Sequence, residues 1–596
     1  MSNRATNLLD SDLLTPLQGL RDRTALGSAL FGKQIRPLQR DEIEQLEAEG
    51  NRCRDWRQVY VVPEFRPVSL GNNRLSGRVI LGDFSVSGGI YHSCLEDAEI
   101  ASGALIDHCL QVRRTLVMAD CDLRGAWLDC STHTSYGLGT EIHAGLETPG
   151  REIRLWDKMT LDSAQLYLTD AELRAQVQAL AEAVTFDRSI LWPGVQVIQC
   201  PRMDRVWLGP ATLVQGALRV ENCAAMGNAA EPVKLGTGVQ VVNAVFQPGV
   251  SLESGAQVDS SVFLEWSGAQ RQALVTESLI GPNSIVGGGE VTASFLGPFV
   301  GFHHQSLLIA AWWPEGRGNI GYGANIGSNH TSRSPDQEIR PGEGTFFGLA
   351  TAVKFPANFQ DSPYSILASG VVTLPQRLSL PFSLILDEPL DTPETRGLNR
   401  VIPGWVLKEN VYLLLRNEMK FASRSKARRH QFDFRIFRPE IVDKLWKTRV
   451  DLVNTVAKAV HTKHTFPAVG KNYLLEEDRI EAIRVYLDFL KYGVLKLFAE
   501  ASLDGIACPD DWLQTMFRRL NLDYFSTAEN LRHYLELEQR LLESSVRAKT
   551  KDNLRGTEII PDYAQFHAPA EEDAFLVAKR QQIETLRHKI LAFESG

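Results

Sequence analysis

The chain has 596 residues, a formal net charge of −9, and 44% hydrophobic and 23% charged residues. This ordinary globular composition excludes a wholly disordered chain, and the negative charge gives no general attraction to nucleic acid or anionic membrane. No stretch approaches the roughly 18 to 20 apolar residues that span a bilayer, and residues 1–20 lack a basic start followed by an apolar run. We therefore expect a cytoplasmic protein without a membrane span or a nucleic-acid partner.

Glycine divides the chain into two parts. Of the 46 glycines, 41 lie before residue 405 and 5 lie after it. Glycine permits positive φ and weakens helix interiors, so a turn-rich region should precede a helical one. We predict an N-terminal adaptor at 1–60, a repeat region at 61–386, a linker at 387–404 and a helical region at 405–596.

Apolar residues recur every six positions in the repeat region. Phe246, Leu252, Val258 and Leu264 follow this spacing over three steps, as do Ile100, Ile106 and Val112. A period of six fits neither a helix nor a long alternating strand. It fits a triangular β-solenoid, in which each face is one short strand with its apolar residue directed inward. Residues 165–187 interrupt the repeat with a helical pattern, in which Leu173, Val177, Leu180 and Val184 form one face.

The last third of the chain shows four amphipathic patterns. Their apolar positions are Leu445, Leu452, Val456 and Val460; Ile483, Tyr486, Leu490, Val494 and Leu497; Leu531, Leu535, Leu541 and Leu542; and Leu576, Ile583, Leu586 and Ile590. Each set predicts one helix.

Residues 320–329, IGYGANIGSN, and residues 365–372, SILASGVV, carry the six-residue repeat in its clearest form. They resemble the hexapeptide-repeat, left-handed parallel β-helix family over about 61–386. The loop at 327–344 resembles a subgroup of long, uncharacterised bacterial proteins that have a helical C-terminal region. The family resemblance implies acyl transfer from acyl-coenzyme A to a small sugar or nucleotide-sugar type acceptor. It also implies a homo-oligomer, with a trimer favoured.

His330 follows the clearest repeat and opens a polar loop. Family acyltransferases use such a histidine as general base, and an ordinary imidazole pKa near 6.5 suits that role. We predict that Asn329, Asp336 and Glu338 orient His330. The predicted substrate-binding residues are Arg317, Arg333, Arg340, Lys354, His303 and His304.

The histidines also raise the question of a metal. His303, His304 and His330 contain enough imidazoles for zinc, but they do not reproduce the ligand spacing of the carbonic anhydrases of this fold family, so we predict no metal. His92, His108, His133 and His143 form a second group, which fits either a further ligand pocket or a set of corner residues.

The basic residues at 420–430 and the eight cysteines are two further patterns in the sequence. The basic run at 420–430 fits either a contact for coenzyme A or a solvated helix face. The eight cysteines form no C-x-x-C pair, and without a secretion signal they indicate reduced thiols.

Three functions fit the sequence. The leading hypothesis is acyl transfer with His330 as base. The alternatives are a non-catalytic ligand-binding or assembly scaffold, and a sugar-nucleotide-related protein that lacks a nucleotidyltransferase domain. The sequence leaves the donor and the acceptor open.

Overall fold

The computed structural model describes residues 11–327 and 338–595. The fold is a β-solenoid of about 19 turns, followed along the chain by a helical region. This confirms the predicted fold class. The chain forms two compact units: the first contains residues up to 340 together with 354–356 and 426–431, and the second contains 341–353, 357–425 and residues from 432 onward. No helix among the described residues is long and apolar enough to cross a bilayer.

Parallel strand pairing builds the solenoid of the first unit and begins at Arg52, which pairs with Arg74. Further along, Gln257 pairs with Gln240 on one side and with Leu274 on the other, so each coil lies in register with the next. The strands of this unit are Arg36–Pro37, Arg52–Cys53, Val59–Val61, Leu70–Gly71, Arg74–Ser76, Val79–Leu81, Gly89–Tyr91, Cys94–Glu96, Glu99–Ile100, Leu105–Asp107, Gln111–Arg113, Thr115–Val117, Asp122–Arg124, Trp127–Asp129, Glu141–His143, Glu152–Arg154, Ser189–Leu191, Gln196–Ile198, Met203–Leu208, Leu213–Gln215, Arg219–Ala225, Lys234–Leu235, Gln240–Phe246, Ser251–Leu252, Gln257–Phe263, Gly268–Gln270, Leu274–Thr276, Leu279–Ile280, Ile285–Thr292, Phe295–Leu296, Gly301–Ile309, Trp312–Trp313, Asn319–Ile320, Asn325–Ile326 and Ile339–Arg340.

Apolar side chains stack inside the coils. Ile106 pairs with Ile90 on one neighbouring coil and with Leu123 on the other, and all three side chains are fully buried. Ile100, Ile106 and Val112 lie on three successive strands, and each is fully buried, as the six-residue period predicts. Burial of each such side chain favours the folded state by about 1.5–3 kcal/mol relative to a side chain left in water.

The corners of the coils require left-handed backbone. One corner contains Asn222, Asn243, Ser260 and Glu277 on successive coils, with φ between 45° and 54°. Positive φ lets the chain turn sharply between two short strands, although it costs residues other than glycine some strain. Because the coils are in register, these corner residues form a column along the solenoid. We call it the Asn222 column, and it continues to Ala293 and Ala310.

Buried serines add hydrogen bonds between coils. The Ser278 hydroxyl donates to the Thr276 carbonyl at 2.7 Å and accepts the Ser294 amide at 3.1 Å. The Ser278 amide in turn donates to the hydroxyl of Ser261, 17 residues earlier. The hydroxyls thus satisfy amide groups that no water can reach.

Replacement of Ser278 by alanine leaves the buried Ser294 amide without its acceptor. We expect Ser278→Ala to destabilise the first unit by about 1–3 kcal/mol, measured as a lower midpoint in urea unfolding. Ser254→Ala is the matched control, because Ser254 is exposed at a corner. Equal urea midpoints for the two variants would contradict the structural role of the buried serine hydroxyls.

The described residues of the first unit form four α-helices: α1 (Leu14–Thr24), α2 (Arg40–Ala48), α3 (Leu161–Tyr167) and α4 (Ala171–Ala183). Helices α3 and α4 lie in an insertion that leaves the solenoid after Asp129 and returns at Ser189. The Asp170 side chain caps α4 by accepting the amides of Glu172 and Leu173. Besides its helices, the insertion contains an antiparallel hairpin, Glu141–His143 paired with Glu152–Arg154.

The second unit combines short strands with eight helices among its described residues. Its strands are Phe346–Phe347, Ala352–Val353, Ala357–Asn358, Ile366–Leu367, Val372–Thr373, Gln376–Arg377, Leu384–Leu386, Asn399–Ile402, Val460–His461 and Asn472–Leu475. Its helices are α5 (Trp405–Glu409), α6 (Val411–Arg424), α7 (Pro439–Asn454), α8 (Glu476–Asp504), α9 (Asp510–Leu520), α10 (Thr527–Ile559), α11 (Tyr563–Phe566) and α12 (Ala574–Ser595).

Aromatic rings join the strands of this unit to its helices. Tyr364 stacks on Phe382 at 5.3 Å between ring centroids, Phe382 stacks on Phe437 at 5.9 Å, and Phe437 contacts Phe489 of α8 at 5.7 Å. The buried Glu343 carboxylate accepts the Tyr364 hydroxyl at 2.5 Å and an Arg438 N–H at 3.0 Å. The aromatic stack and this ion pair fix the start of α7 on the coils.

A charged cluster of His461, Glu476 and Arg479 lies at the first turn of α8. Glu476 accepts hydrogen bonds from Arg479 at 2.6 Å and 2.8 Å, and its Oε2 lies 2.7 Å from Nε2 of the buried His461. The hydrogen bonds from Arg479, together with the one to His461, lower the pKa of Glu476 to about 2.

This low pKa makes the second unit sensitive to acid. Because the folded-state pKa lies below the ordinary value of 4.5, the stabilisation is complete above pH 4.5 and is lost as pH falls toward about 2. We expect Glu476→Gln to reduce the fall in melting temperature between those pH values. The control is Glu477→Gln, whose side chain is 77% exposed. A pH dependence of Glu476→Gln that matches the wild type would refute this assignment.

Candidate functional site

The structure describes only part of the predicted catalytic loop. His330, Asn329, Arg333 and Asp336 lie outside the described residues. Glu338 and Arg340 are described and half-buried, and Ile339 between them pairs with Ala311 of the solenoid. The site is therefore built here from Glu338, Arg340 and what surrounds them.

The inserted segment runs along the Asn222 column. The Asn222 side chain accepts hydrogen bonds from the Thr134 hydroxyl at 2.9 Å and the Gly137 amide at 3.1 Å. Further along the column, the Gly145 amide donates to the Ala293 carbonyl at 2.8 Å. Gly137 has a φ of 86°, and a side chain there would meet the backbone of Ala244, so glycine allows this close approach. The hairpin of the insertion is thus fixed against the solenoid corner.

A histidine–glutamate pair forms where the hairpin crosses the column. Nδ1 of His143 lies 2.5 Å from Oε2 of Glu277, and the two side chains are 27% and 37% exposed. A proton on Nδ1 that is donated to the carboxylate leaves the Nε2 lone pair available. Among the described residues, Nε2 has no hydrogen-bond partner. A histidine whose Nδ1–H is held by a carboxylate in this way is chemically suited to accept a proton at Nε2.

An arginine of the same hairpin reaches the predicted loop. Arg151 donates to Glu338 at 2.6 Å and lies over the Trp312 ring at 5.5 Å. Arg340 donates to the other oxygen of Glu338 at 3.3 Å. The structure therefore brings together Glu338 and Arg340 of the predicted loop with the hairpin of His143, which the sequence places in separate groups.

Carboxyl groups give this surface an acidic character. Partial burial, and then the nearby charge of Glu290, raise the pKa of Glu147 above its ordinary range. Glu277 and Glu338 contribute two further carboxylates next to the hairpin. The two arginines at Glu338 offset part of this charge. We call the surface formed by His143, Glu147, Arg151, Glu277, Glu290, Trp312, Glu338 and Arg340 the hairpin site.

The predicted residues His303 and His304 lie at a different corner of the coil. His303 pairs with Gly287 and lies close to Gly287 and Gly301, while His304 is exposed with a φ of 64°. A bulge between Gly287 and Gly289 accommodates the additional residue in this turn. Neither histidine lies on the Asn222 column.

Two further predicted cations, Arg317 and Lys354, are not among the residues of the hairpin site. Arg317 occupies a third corner, with a φ of 58° and its amide bonded to the Pro298 carbonyl at 2.7 Å. Lys354 is half-buried, and in the described part of the chain its ammonium group forms no ion pair.

Part of the basic run binds the first unit itself. Lys426 lies over the Trp266 ring at 4.3 Å, and His430 Nδ1 lies 3.0 Å from Glu265 Oε2. Burial acts to raise the pKa of Glu265, but the hydrogen bonds from His430 and from the Arg428 and Arg429 amides lower it below its ordinary range. Residues 426–430 are therefore an internal anchor rather than a solvated helix face.

The cysteines do not supply a reactive thiol to this surface. All eight are unpaired, as expected, and burial raises the pKa of Cys109 to about 11 and that of Cys223 to about 12. Such thiols stay protonated at neutral pH and are poor nucleophiles.

Comparison with known proteins gives a family. Residues 35–454 match the family described as "Domain of unknown function (DUF4954)". The chain belongs to the DUF4954 family. The matched range includes the hairpin site, so the coils and the insertion that form this site both belong to the DUF4954 region.

Two individual proteins add context. An uncharacterized protein of Treponema pallidum (strain Nichols) is 26% identical over 455 residues, which cover 71% of this DUF4954 chain and 62% of the relative's length. The match thus leaves over a third of that relative uncovered. A solved structure from Desulfovibrio desulfuricans G20, provisionally described as an acetyltransferase, is 12% identical, covers 63% of this chain and 81% of that one, and has a TM-score of 0.10. That score is too low to support an argument about function.

The sequence analysis placed His143 in the second histidine group but missed Glu277. The two members of the pair are 134 residues apart, and no local motif connects them. The one available signal is that Glu277 ends a coil strand, at a corner where asparagine and serine stand on preceding coils.

Arg151 should hold the hairpin and the segment at 338–340 together. We expect Arg151→Ala to increase amide hydrogen exchange at Ile339, whose amide donates to the Ala310 carbonyl, and in the hairpin strands. The control is Arg154→Ala, because Arg154 pairs with the exposed Glu141 of its own hairpin. Unchanged exchange at Ile339 in Arg151→Ala would show that Glu338 is held by other contacts.

Proposed function

We propose that this protein transfers an acyl group from a thioester such as acyl-coenzyme A to a hydroxyl or amine of a sugar-type acceptor at the hairpin site. The observation that carries the proposal is the 2.5 Å contact between His143 Nδ1 and Glu277. A histidine oriented by a carboxylate is suited to take a proton from an attacking hydroxyl or amine.

In the proposed reaction His143 acts as the general base. Nε2 takes the proton of the acceptor group while its oxygen or nitrogen forms a bond to the thioester carbonyl carbon. The carbon–sulfur bond then breaks, and the thiol leaves with the proton that His143 returns. Glu277 is a positioning residue, because it fixes the ring tautomer and does not touch the reacting atoms.

The charges of the hairpin site favour one class of acceptor. Glu277 places a carboxyl group beside His143, and Glu147 and Glu290 add two more to the hairpin site, so the site attracts an acceptor with a positive charge. An amino sugar, whose amine is protonated in solution and loses its proton before attack, fits these charges. Of the predicted substrate-binding residues, Arg340 lies at the hairpin site and is the candidate for the phosphates of the donor.

The assay measures thiol release from acetyl-coenzyme A with a panel of amino sugars and nucleotide sugars. Loss of a general base lowers the rate by roughly 10²–10⁴-fold, so we expect this loss in His143→Ala and a smaller one in Glu277→Gln. His133→Ala is the matched control, because His133 is an exposed histidine of the same insertion. All variants are compared by circular dichroism, so that loss of fold is separated from loss of rate.

A fourth variant, His330→Ala, separates the two histidines. If His330→Ala is inactive while His143→Ala is active, the base is the residue predicted from sequence, and the role given to His143 is wrong. If the wild type releases no thiol and its melting temperature does not change with coenzyme A, acyl transfer is wrong and the scaffold hypothesis is favoured.

A further inference from the structure

A second histidine cluster lies on the first unit, at a corner away from the hairpin site. His92 and His108 occupy the same position on neighbouring coils, because Tyr91 pairs with Asp107 in the strands that precede them. Their rings stack with centroids 4.5 Å apart and planes 25° apart. Both histidines are exposed, and the half-buried Asp107 lies beside them.

The donor atoms of the three side chains converge. Oδ1 of Asp107 lies 2.6 Å from Nδ1 of His108 and 3.7 Å from Nδ1 of His92. One donor atom from each residue can be chosen so that all three lie within 4.8 Å of one another. Ligand atoms around a tetrahedral zinc ion are about 3.4 Å apart, given bonds of about 2.1 Å. Small rotations of exposed rings reach that geometry, since exposed side chains change rotamer within nanoseconds.

The backbone is left-handed at both histidines. His92 has a φ of 49° and His108 a φ of 52°, a region in which glycine is free of strain. The next coil places Gly125 at this corner, with a φ of 60°. His92 and His108 therefore share one corner of the solenoid on neighbouring coils, with the same backbone conformation.

Neighbouring groups leave the cluster accessible to a cation. Arg124 interacts electrostatically with Asp107, but its guanidinium is held by Asp122 through two hydrogen bonds of 2.8 Å and 2.9 Å. Gly125 puts no side chain over His108. On the other side, Nδ2 of Asn72 lies 3.5 Å from Nε2 of His92.

We propose that His92, Asp107 and His108 bind one divalent transition-metal ion of the zinc type, with water in the remaining positions. Two imidazole nitrogens and one carboxylate oxygen are donors that zinc accepts, and three protein ligands leave coordination positions open. The ion would join two neighbouring coils of the solenoid. The proposal is independent of acyl transfer, because it uses none of the residues of the hairpin site.

The test is titration of the full-length, chelator-treated protein with ZnCl₂ by isothermal calorimetry. We expect one equivalent of zinc to bind the wild type. His92→Gly and His108→Gly should each weaken binding by at least about tenfold, since loss even of an outer partner of a metal ligand costs 10–100-fold. Glycine suits the positive φ at both positions, so these variants keep the fold.

His304→Gly is the matched control, because His304 is also an exposed corner histidine with positive φ. Asp107→Asn tests the carboxylate with little change in shape and should also weaken binding. The proposal is overturned if the wild type binds no zinc, or if His92→Gly, His108→Gly and His304→Gly all bind it with wild-type affinity. Melting curves without zinc show whether each variant is folded, so a loss of binding is not mistaken for unfolding.

Discussion

The structure depends on one constraint: each coil of the first unit must turn at its corners while its backbone stays hydrogen-bonded to the coils on either side. In-register parallel pairing, as between Gln240, Gln257 and Leu274, satisfies the strands, and left-handed residues satisfy the corners. Equivalent residues consequently stack along the axis. Apolar residues such as Ile90, Ile106 and Leu123 form the interior, and whatever stands at a corner is repeated as a column on the surface.

Both proposed sites follow from these columns. At the hairpin site the insertion lies along the Asn222 column and contacts it at Asn222 and at Ala293. The His143–Glu277 pair forms between those two contacts. At the other corner the register alone places His92 beside His108, with no insertion involved. Solenoid corners therefore create polar clusters in two ways, by receiving a segment from outside and by repeating one residue type on successive coils.

The six-residue spacing was sufficient to predict the coils, because inward residues such as Ile100, Ile106 and Val112 must recur wherever a short strand faces the interior. Sequence did not predict which surface groups meet, because such contacts depend on where a long insertion is fixed. Glu277 is one example. His430 is another example. The sequence assigned residues 420–430 to the helical region, but residues 426–431 belong to the first unit, where His430 contacts the buried Glu265, 165 residues away in sequence. Local patterns carry no information about such long-range pairing of charges.

The return of residues 426–431 to the first unit also affects how the protein is made. Glu265 is almost fully buried in the folded chain, where the amides of Arg428 and Arg429 and the His430 ring surround its carboxylate. At synthesis rates of roughly 5–20 residues per second, the ribosome needs about 8–33 s to produce the intervening 165 residues. Until then the Glu265 carboxylate cannot receive the hydrogen bonds of residues 428–430. The contacts of Glu265 are therefore completed by a segment that is translated long after the coils of the N-terminal unit.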